Sequence, residues 1–145
     1  MESRAMCLGV PPGTEIKTYH SKPLGVIMLK AIALLKKKEG LSREAFIAYY
    51  ENNHAPLMWS LLPQMCEYRR NFIDLAGAYI YSGATAPDFD VITETCYPDR
   101  AAYDAAMVIA TSPEIAARIA ADEENFLDRA LTRYFVVDER ESAAR

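Results

Sequence analysis

Tyr50 and His54 lie four residues apart in the stretch 42–56, a spacing that places both on one face of a helix together with Phe46. The set offers a phenol and an imidazole against an apolar wall. A neighbouring carboxylate can move the proton affinity of an imidazole in a partly dry pocket across the working range, so His54 is the first candidate for general acid or base. Only two histidines occur in the chain, and the other, His20, falls in an irregular N-terminal stretch. Tyr50, one turn back, is placed to orient His54 or to donate a hydrogen bond to a carbonyl or phenolate oxygen. The structural alternative is that the two residues finish a helix, bonding its last carbonyls and packing on Phe46.

Two carboxylates form a second candidate set. Asp90 and Glu94 share one face of an expected strand, with Ile92 between them, because strand side chains repeat every second residue. Buried together, one of them would hold its proton, which is how an enzyme keeps a carboxylic acid available at neutral pH. The plainer reading pairs them with Lys30, Arg69 or Arg70 on neighbouring strands. Tyr68 and Asn71 fall on opposite faces of a regular strand, and of the two Asn71 is the better polar contact for a ligand. Met58, Trp59 and Leu62 would wall an aromatic substrate, although an apolar stripe at helical spacing is more often plain core, a reading that also covers Tyr103, Met107 and Phe126. Asp122 and Glu123 read as a solvated helix face.

The elements that must carry these groups follow from periodicity and punctuation. Residues 26–36 are almost wholly apolar and read as a strand, broken by Glu39 and Gly40 before Ser42 caps a helix reaching about residue 52. Pro56 disfavours helical geometry at Ala55, so the helix is expected to break at 54–56 and resume for one turn over 57–62. A second strand is expected at 66–74 and a third at 89–97, joined by a glycine- and proline-containing loop or short hairpin. Asp99 and Ser112 each begin a helix, over 100–110 and 113–127, with Ser112-Pro113-Glu114 the stronger start. A last strand spans 131–138. The order is β-α-β-β-α-β, an α+β ferredoxin-like sandwich with a four-stranded antiparallel sheet whose second crossover is split into two helices. Residues 1–27 read as an N-terminal extension, 28–139 as one domain and 140–145 as a charged tail.

Composition narrows the partners. The 145 residues, about half of them apolar, suffice for one core and not two. A net charge of −4 without a long basic run argues against nucleic acid. Three cysteines, Cys7, Cys66 and Cys96, lack metal-ligand spacing and form an odd set that suits reduced thiols. No apolar stretch approaches the roughly 20 residues that span a bilayer, and the start lacks a signal-peptide pattern, so a soluble, cytoplasmic protein is expected, with no metal site. The first and last strands, taken as the outer ones, are apolar at successive positions over 27–35 and 134–137, so both sheet faces want burial. With no sequence left to cover the second face, a homodimer packed sheet to sheet is the economical solution.

The run Lys30-Ala-Ile-Ala-Leu-Leu-Lys-Lys-Lys, then Leu41-Ser-Arg-Glu-Ala-Phe with Tyr50 and His54-Ala-Pro-Leu, resembles the opening of EthD-type domains. Tyr68-Arg-Arg-Asn71, Phe89-Asp-Val-Ile-Thr-Glu94, and Ser112-Pro-Glu followed by Asp122-Glu123 and Phe126 match later segments in order, so the resemblance spans about residues 28–139. It implies the dimeric α+β barrel superfamily, whose members are mostly cofactor-independent enzymes on aromatic or polyketide-like molecules, some relatives binding haem. The resulting expectation is proton-transfer chemistry (lyase, decarboxylase, dehydratase or isomerase) without a cofactor. His54 shuttles the proton, Tyr50 and Asn71 hold the substrate oxygen, Glu94 or Asp90 sets the charge on the imidazole, and Trp59, Met58, Leu62 and Phe46 exclude water. A cofactor-free monooxygenase, a haem-binding protein with His54 as axial ligand, and a non-catalytic binder of a hydrophobic metabolite are the alternatives.

Overall fold

Alternation in the first strand sets the architecture. Ala31, Ala33 and Leu35 are buried on one side of β1 (Leu29–Lys37), small enough at two positions to let a helix lie close against the sheet. The computed structural model describes residues 28–143, so the expected extension 1–27 and the end of the expected tail lie outside the described residues. A turn with Gly40 at φ +80° carries the chain from β1 into α1 (Arg43–Tyr49), capped by the Ser42 hydroxyl accepting from the Ala45 N–H at 3.1 Å.

Here the structure corrects the sequence expectation. The helix does not break at 54–56: a π-helical turn, Tyr50–His54, joins α1 directly to α2 (Ala55–Leu61), and Ala55 stays helical at φ −63°, ψ −44°. Pro56 has no N–H and would press its ring on the carbonyl four residues back in a regular helix. Widening the turn by one residue relieves that clash, and the Ala55 N–H bonds the Tyr50 carbonyl five residues back.

β2 (Glu67–Phe72), β3 (Val91–Tyr97), α3 (Arg100–Ala110), α4 (Pro113–Glu123) and β4 (Leu127–Val137) complete the domain. The sheet is antiparallel throughout, in the order β2-β3-β1-β4, so the α+β ferredoxin-like sandwich is as expected. The first strand is not an outer strand, however; it lies between β3 and β4. β4 starts four residues earlier than expected because residues 129–132 bulge: Leu34 pairs with Arg133, while Lys36 pairs with Asp128. Residues 73–90 form no strand, and the loop ends where the Asp90 N–H bonds the Leu35 carbonyl at 2.8 Å.

The caps rank opposite to expectation. Asp99 accepts from the Ala102 N–H at 2.8 Å, whereas the Ser112 hydroxyl donates back to the Ile109 carbonyl at 2.7 Å and leaves α4 to Pro113 and Glu114. α4 stops at Glu123, short of residue 127, and a turn (Phe126 N–H on the Glu123 carbonyl, 3.1 Å) drops Phe126 into the core.

Between helices and sheet, one cluster gathers Ala33, Leu35, Phe46, Tyr50, Val91, Phe126 and Leu127, and a second gathers Leu62, Met65, Tyr97 and Ala106. Tyr68 packs against both. Each fully buried ring contributes about 1.5–3 kcal/mol relative to exposure. No helix among the described residues is long and apolar enough to cross a membrane.

Candidate active site

The π turn brings Tyr50 and His54 inward beneath Phe46. Tyr50 is fully buried, and its ring meets Phe46 at 6.3 Å and His54 at 5.0 Å, both edge to face. His54 is 4 % exposed, with Phe126 on its other side at 5.0 Å. An imidazole in such an aromatic box needs a polar partner, and α4 supplies it: Nδ1 lies 2.7 Å from Asp122 Oδ2. Asp122 Oδ1 accepts a second hydrogen bond, from the Tyr49 hydroxyl at 3.0 Å. Two donors from the helix thus fix the carboxylate, and the carboxylate fixes the imidazole, holding the Nδ1 proton in the neutral ring and leaving Nε2 as its basic nitrogen. Among the described residues, Nε2 has no hydrogen-bond partner.

Tyr50 opens a second chain of polar groups. Its hydroxyl lies 2.7 Å from Thr93 Oγ1 on β3 and 3.2 Å from the Tyr68 hydroxyl on β2. Burial raises both phenols above their ordinary range, and only in part do the hydroxyls of Thr93 and Tyr68 pull Tyr50 back. Both therefore remain protonated at neutral pH and able to donate. Arg70 fixes this corner: its guanidinium lies over the Tyr68 ring at 4.9 Å and makes a two-pronged bond to Glu51 in the π turn, at 2.9 and 2.7 Å. Trp59, 49 % exposed, stacks parallel to Tyr68 at 6.4 Å.

The sheet separates the remaining candidates from this centre. Register and alternation put Tyr68, Arg70, Phe72 and Thr93 on the helix side and Asn71, Glu94 and Lys30 on the other. Asn71 Nδ2 donates to Glu94 Oε1 at 2.9 Å, so it does not meet the oxygen-binding phenols. Glu94 pairs with Lys30 Nζ at 2.9 Å, the plainer of the two sequence readings; this bond is the first cause that holds its carboxyl below the usual range, so Glu94 is no reserve of protonated acid. Burial alone would lower Lys30, yet its bonds to Glu139 and Glu94 outweigh that and raise it. Asp90 accepts from the Lys37 N–H at 2.7 Å and pairs with Lys36 at 3.2 Å. Neither carboxylate reaches His54; Asp122 does. Leu62 is buried in the second cluster, and Met58 packs against that cluster.

Asp122, Tyr49, Tyr68 and Thr93 complete the centre without having been singled out for it. Asp122 carried a legible signal, since it follows Ile115 and Ile119 at helical spacing on the inward stripe of α4. Next to the centre a cleft of about 490 Å³ runs under the loop 73–90, and Phe46 and Phe72 form part of its lining. Both rings also pack on Tyr50, at 6.3 and 5.7 Å, although neither Tyr50 nor His54 lines the cleft itself. Among the described residues, no three His, Cys, Asp or Glu side chains group as metal ligands.

Polar groups set between the sheet and helices of a ferredoxin-like sandwich fit a small-molecule enzyme or binding protein. The EthD domain model matches residues 38–130, well over half of the chain, and the chain belongs to that family. Among solved structures it is similar to an EthD-like protein of Ralstonia eutropha (25% identity, TM-score 0.54, covering 79% of this chain and 96% of the other). An EthD family protein of Bacillus halodurans is alike at 24% identity and TM-score 0.53, covering 79% and 100%. A DABB family protein of Mesorhizobium loti shares the ferredoxin-like fold at 9% identity and TM-score 0.52, covering 79% and 98%. No curated protein matches the chain.

Proposed function

We propose that this protein is a cofactor-independent enzyme that moves a proton on a small aromatic or polyketide-like molecule, in lyase, decarboxylase, dehydratase or isomerase chemistry, with His54 as general acid and base. The observation that carries the reading is the 2.7 Å bond between Asp122 and Nδ1 of a buried histidine whose Nε2 is unengaged among the described residues. Nε2 takes a proton from substrate carbon or oxygen, Asp122 stabilises the imidazolium, and the imidazolium, whose proton exchanges with solvent, returns a proton to the product. Negative charge released to the substrate oxygen is met by phenol donors. Of the two bonds made by the Tyr50 hydroxyl, the 3.2 Å one to Tyr68 is the weaker, and it is the one that a substrate oxygen replaces.

Deuterium tests the reading. Hydroxyphenyl ketones incubated with the enzyme in D₂O should exchange the hydrogens beside the carbonyl, seen by NMR, at the same rate with and without oxygen. Exchange no faster than in buffer across such ketones would sink the proton-transfer reading, and oxygen-dependent product formation would replace it with the monooxygenase alternative.

The same reading makes the chain a cytoplasmic homodimer, its domain spanning residues 28–139, with neither nucleic acid nor membrane as partner. The support is the second sheet face, where Ile32 stands in register between Glu94 and Phe135, Leu34 pairs with Ile92, and Phe135 is 47 % exposed. Light scattering at micromolar concentration should give twice the chain mass, and Phe135→Glu should halve it; a monomeric parent protein ends the proposal.

A further inference from the structure

The cleft under residues 73–90 has a composition that the acid/base centre does not use. Three aromatic rings, Phe46, Phe72 and Phe89, line it together with aliphatic side chains that include Ile73 and Leu75. Three cations, Lys36, Lys37 and Arg43, line it as well, against the carboxylates of Asp74 and Asp90. Lys36 is neutralised by Asp90 at 3.2 Å. The other two cations bond only neutral carbonyls among the described residues: Arg43 reaches the Ile73 carbonyl at 3.3 Å, using one of its five donors, and Lys37 Nζ bonds the Leu41 carbonyl. Asp74 accepts from the Ala76 N–H at 2.9 Å and is exposed to solvent. Two cations that line the cleft therefore have no carboxylate partner among the described residues, and Asp74 is the one lining acid not paired with a lysine.

From this we infer that the cleft binds a small aromatic carboxylate, its ring against Phe46, Phe72 and Phe89 and its carboxylate on Arg43 and Lys37. A space of about 490 Å³ is within the usual range for small-molecule sites and has room for one or two rings. Arginine suits the role because its planar fork matches a carboxylate with two parallel bonds. The inference goes beyond the proposed function: Phe46 and Phe72 stand between the cleft and Tyr50, so a ring held in the cleft packs on the far side of that wall, in a binding site beside the acid/base centre.

Calorimetric titration of the full chain with benzoate and with benzamide tests it, since the two differ in charge and hardly in shape. Benzoate should bind about 10- to 100-fold more tightly, the range for hydrogen bonds to a charged group, and Arg43→Gln should erase that preference. Arg43 is exposed, so its replacement leaves the fold intact, and circular dichroism verifies this. Ala86→Trp, at another exposed lining position, should block both ligands by filling the cleft. Equal affinity for benzoate and benzamide, or a folded Arg43→Gln protein that still prefers benzoate, overturns the inference. The His54→Ala protein separates the two ideas: benzoate bound as before without proton exchange supports both. Benzoate bound with exchange intact overturns the histidine alone, whereas exchange lost only on removing His54, with no benzoate bound by the parent, overturns the cleft alone.

Discussion

Replacing His54 by alanine is expected to lower the rate of proton exchange at saturating substrate by about 10²- to 10⁴-fold, the usual worth of a positioned general acid/base. The side chain is packed between Tyr50 and Phe126, so its removal also costs about 1–3 kcal/mol of stability, and rates are compared per folded molecule. Imidazole added to the solvent should restore part of the lost rate in the variant and none in the parent, because only the variant has a vacant space of the right shape. Asp122→Asn should fall between the two, since it keeps a partner for Nδ1 and loses the charge that stabilises the imidazolium. If the folded alanine variant turns over within a few-fold of the parent, the acid/base assignment is wrong. A Soret band acquired by the parent with haem and lost in the variant would make His54 an axial ligand instead.

Phe126→Ala is expected to destabilise the fold by about 3–5 kcal/mol, lowering the melting temperature by roughly 10–20 °C. The ring is wholly buried and touches four others, those of Phe46, Tyr49, Tyr50 and His54, at 5.7, 5.0, 5.3 and 5.0 Å. It forms the floor on which the Tyr49-Asp122-His54 chain rests, so exchange activity should fall further than the loss of folded protein explains. Trp59→Ala removes a larger but half-exposed ring and should cost under about 1 kcal/mol by comparison. Denaturant titration measures both; a loss under 1 kcal/mol at Phe126 would mean that the core closes around the missing ring.

Periodicity carried most of the fold because it reports burial directly. The apolar run of β1 and the caps before α1 and α3 were legible, and with them the order of elements, whereas the alternation of burial along β1 was not. What stayed hidden was set by pairing across the chain. Pro56 has the same local signature whether a helix stops or widens, and only the continued burial of Ala55 and Leu62 tells the two apart. Strand parity put Tyr68 and Asn71 on opposite faces, yet nothing local says which face meets the helices; Asn71 was the wrong choice for proximity to His54 because Phe72, one position on, is the residue that packs into the Phe46 cluster. Lys30 and Glu94 could be read as a pair, since each sits on an adjacent strand, whereas the carboxylate of His54 comes from an element with no local tie to it. Asp122 looked solvated by residue type while its helical phase placed it inward.

The separation of that dyad has a consequence for the newly made chain. His54 and Asp122 are 68 residues apart, and among the described residues β4, the last element, pairs with β1, the first. A ribosome that has finished the π turn has made the base without its carboxylate, and it has made the central strand without either of its two neighbours, β3 and β4. The sheet closes and the histidine acquires its partner only as the final quarter of the chain emerges, because these long-range pairings cannot form earlier. Nascent fragments therefore carry the imidazole without the arrangement that would let it act, and competence arrives together with the completed fold.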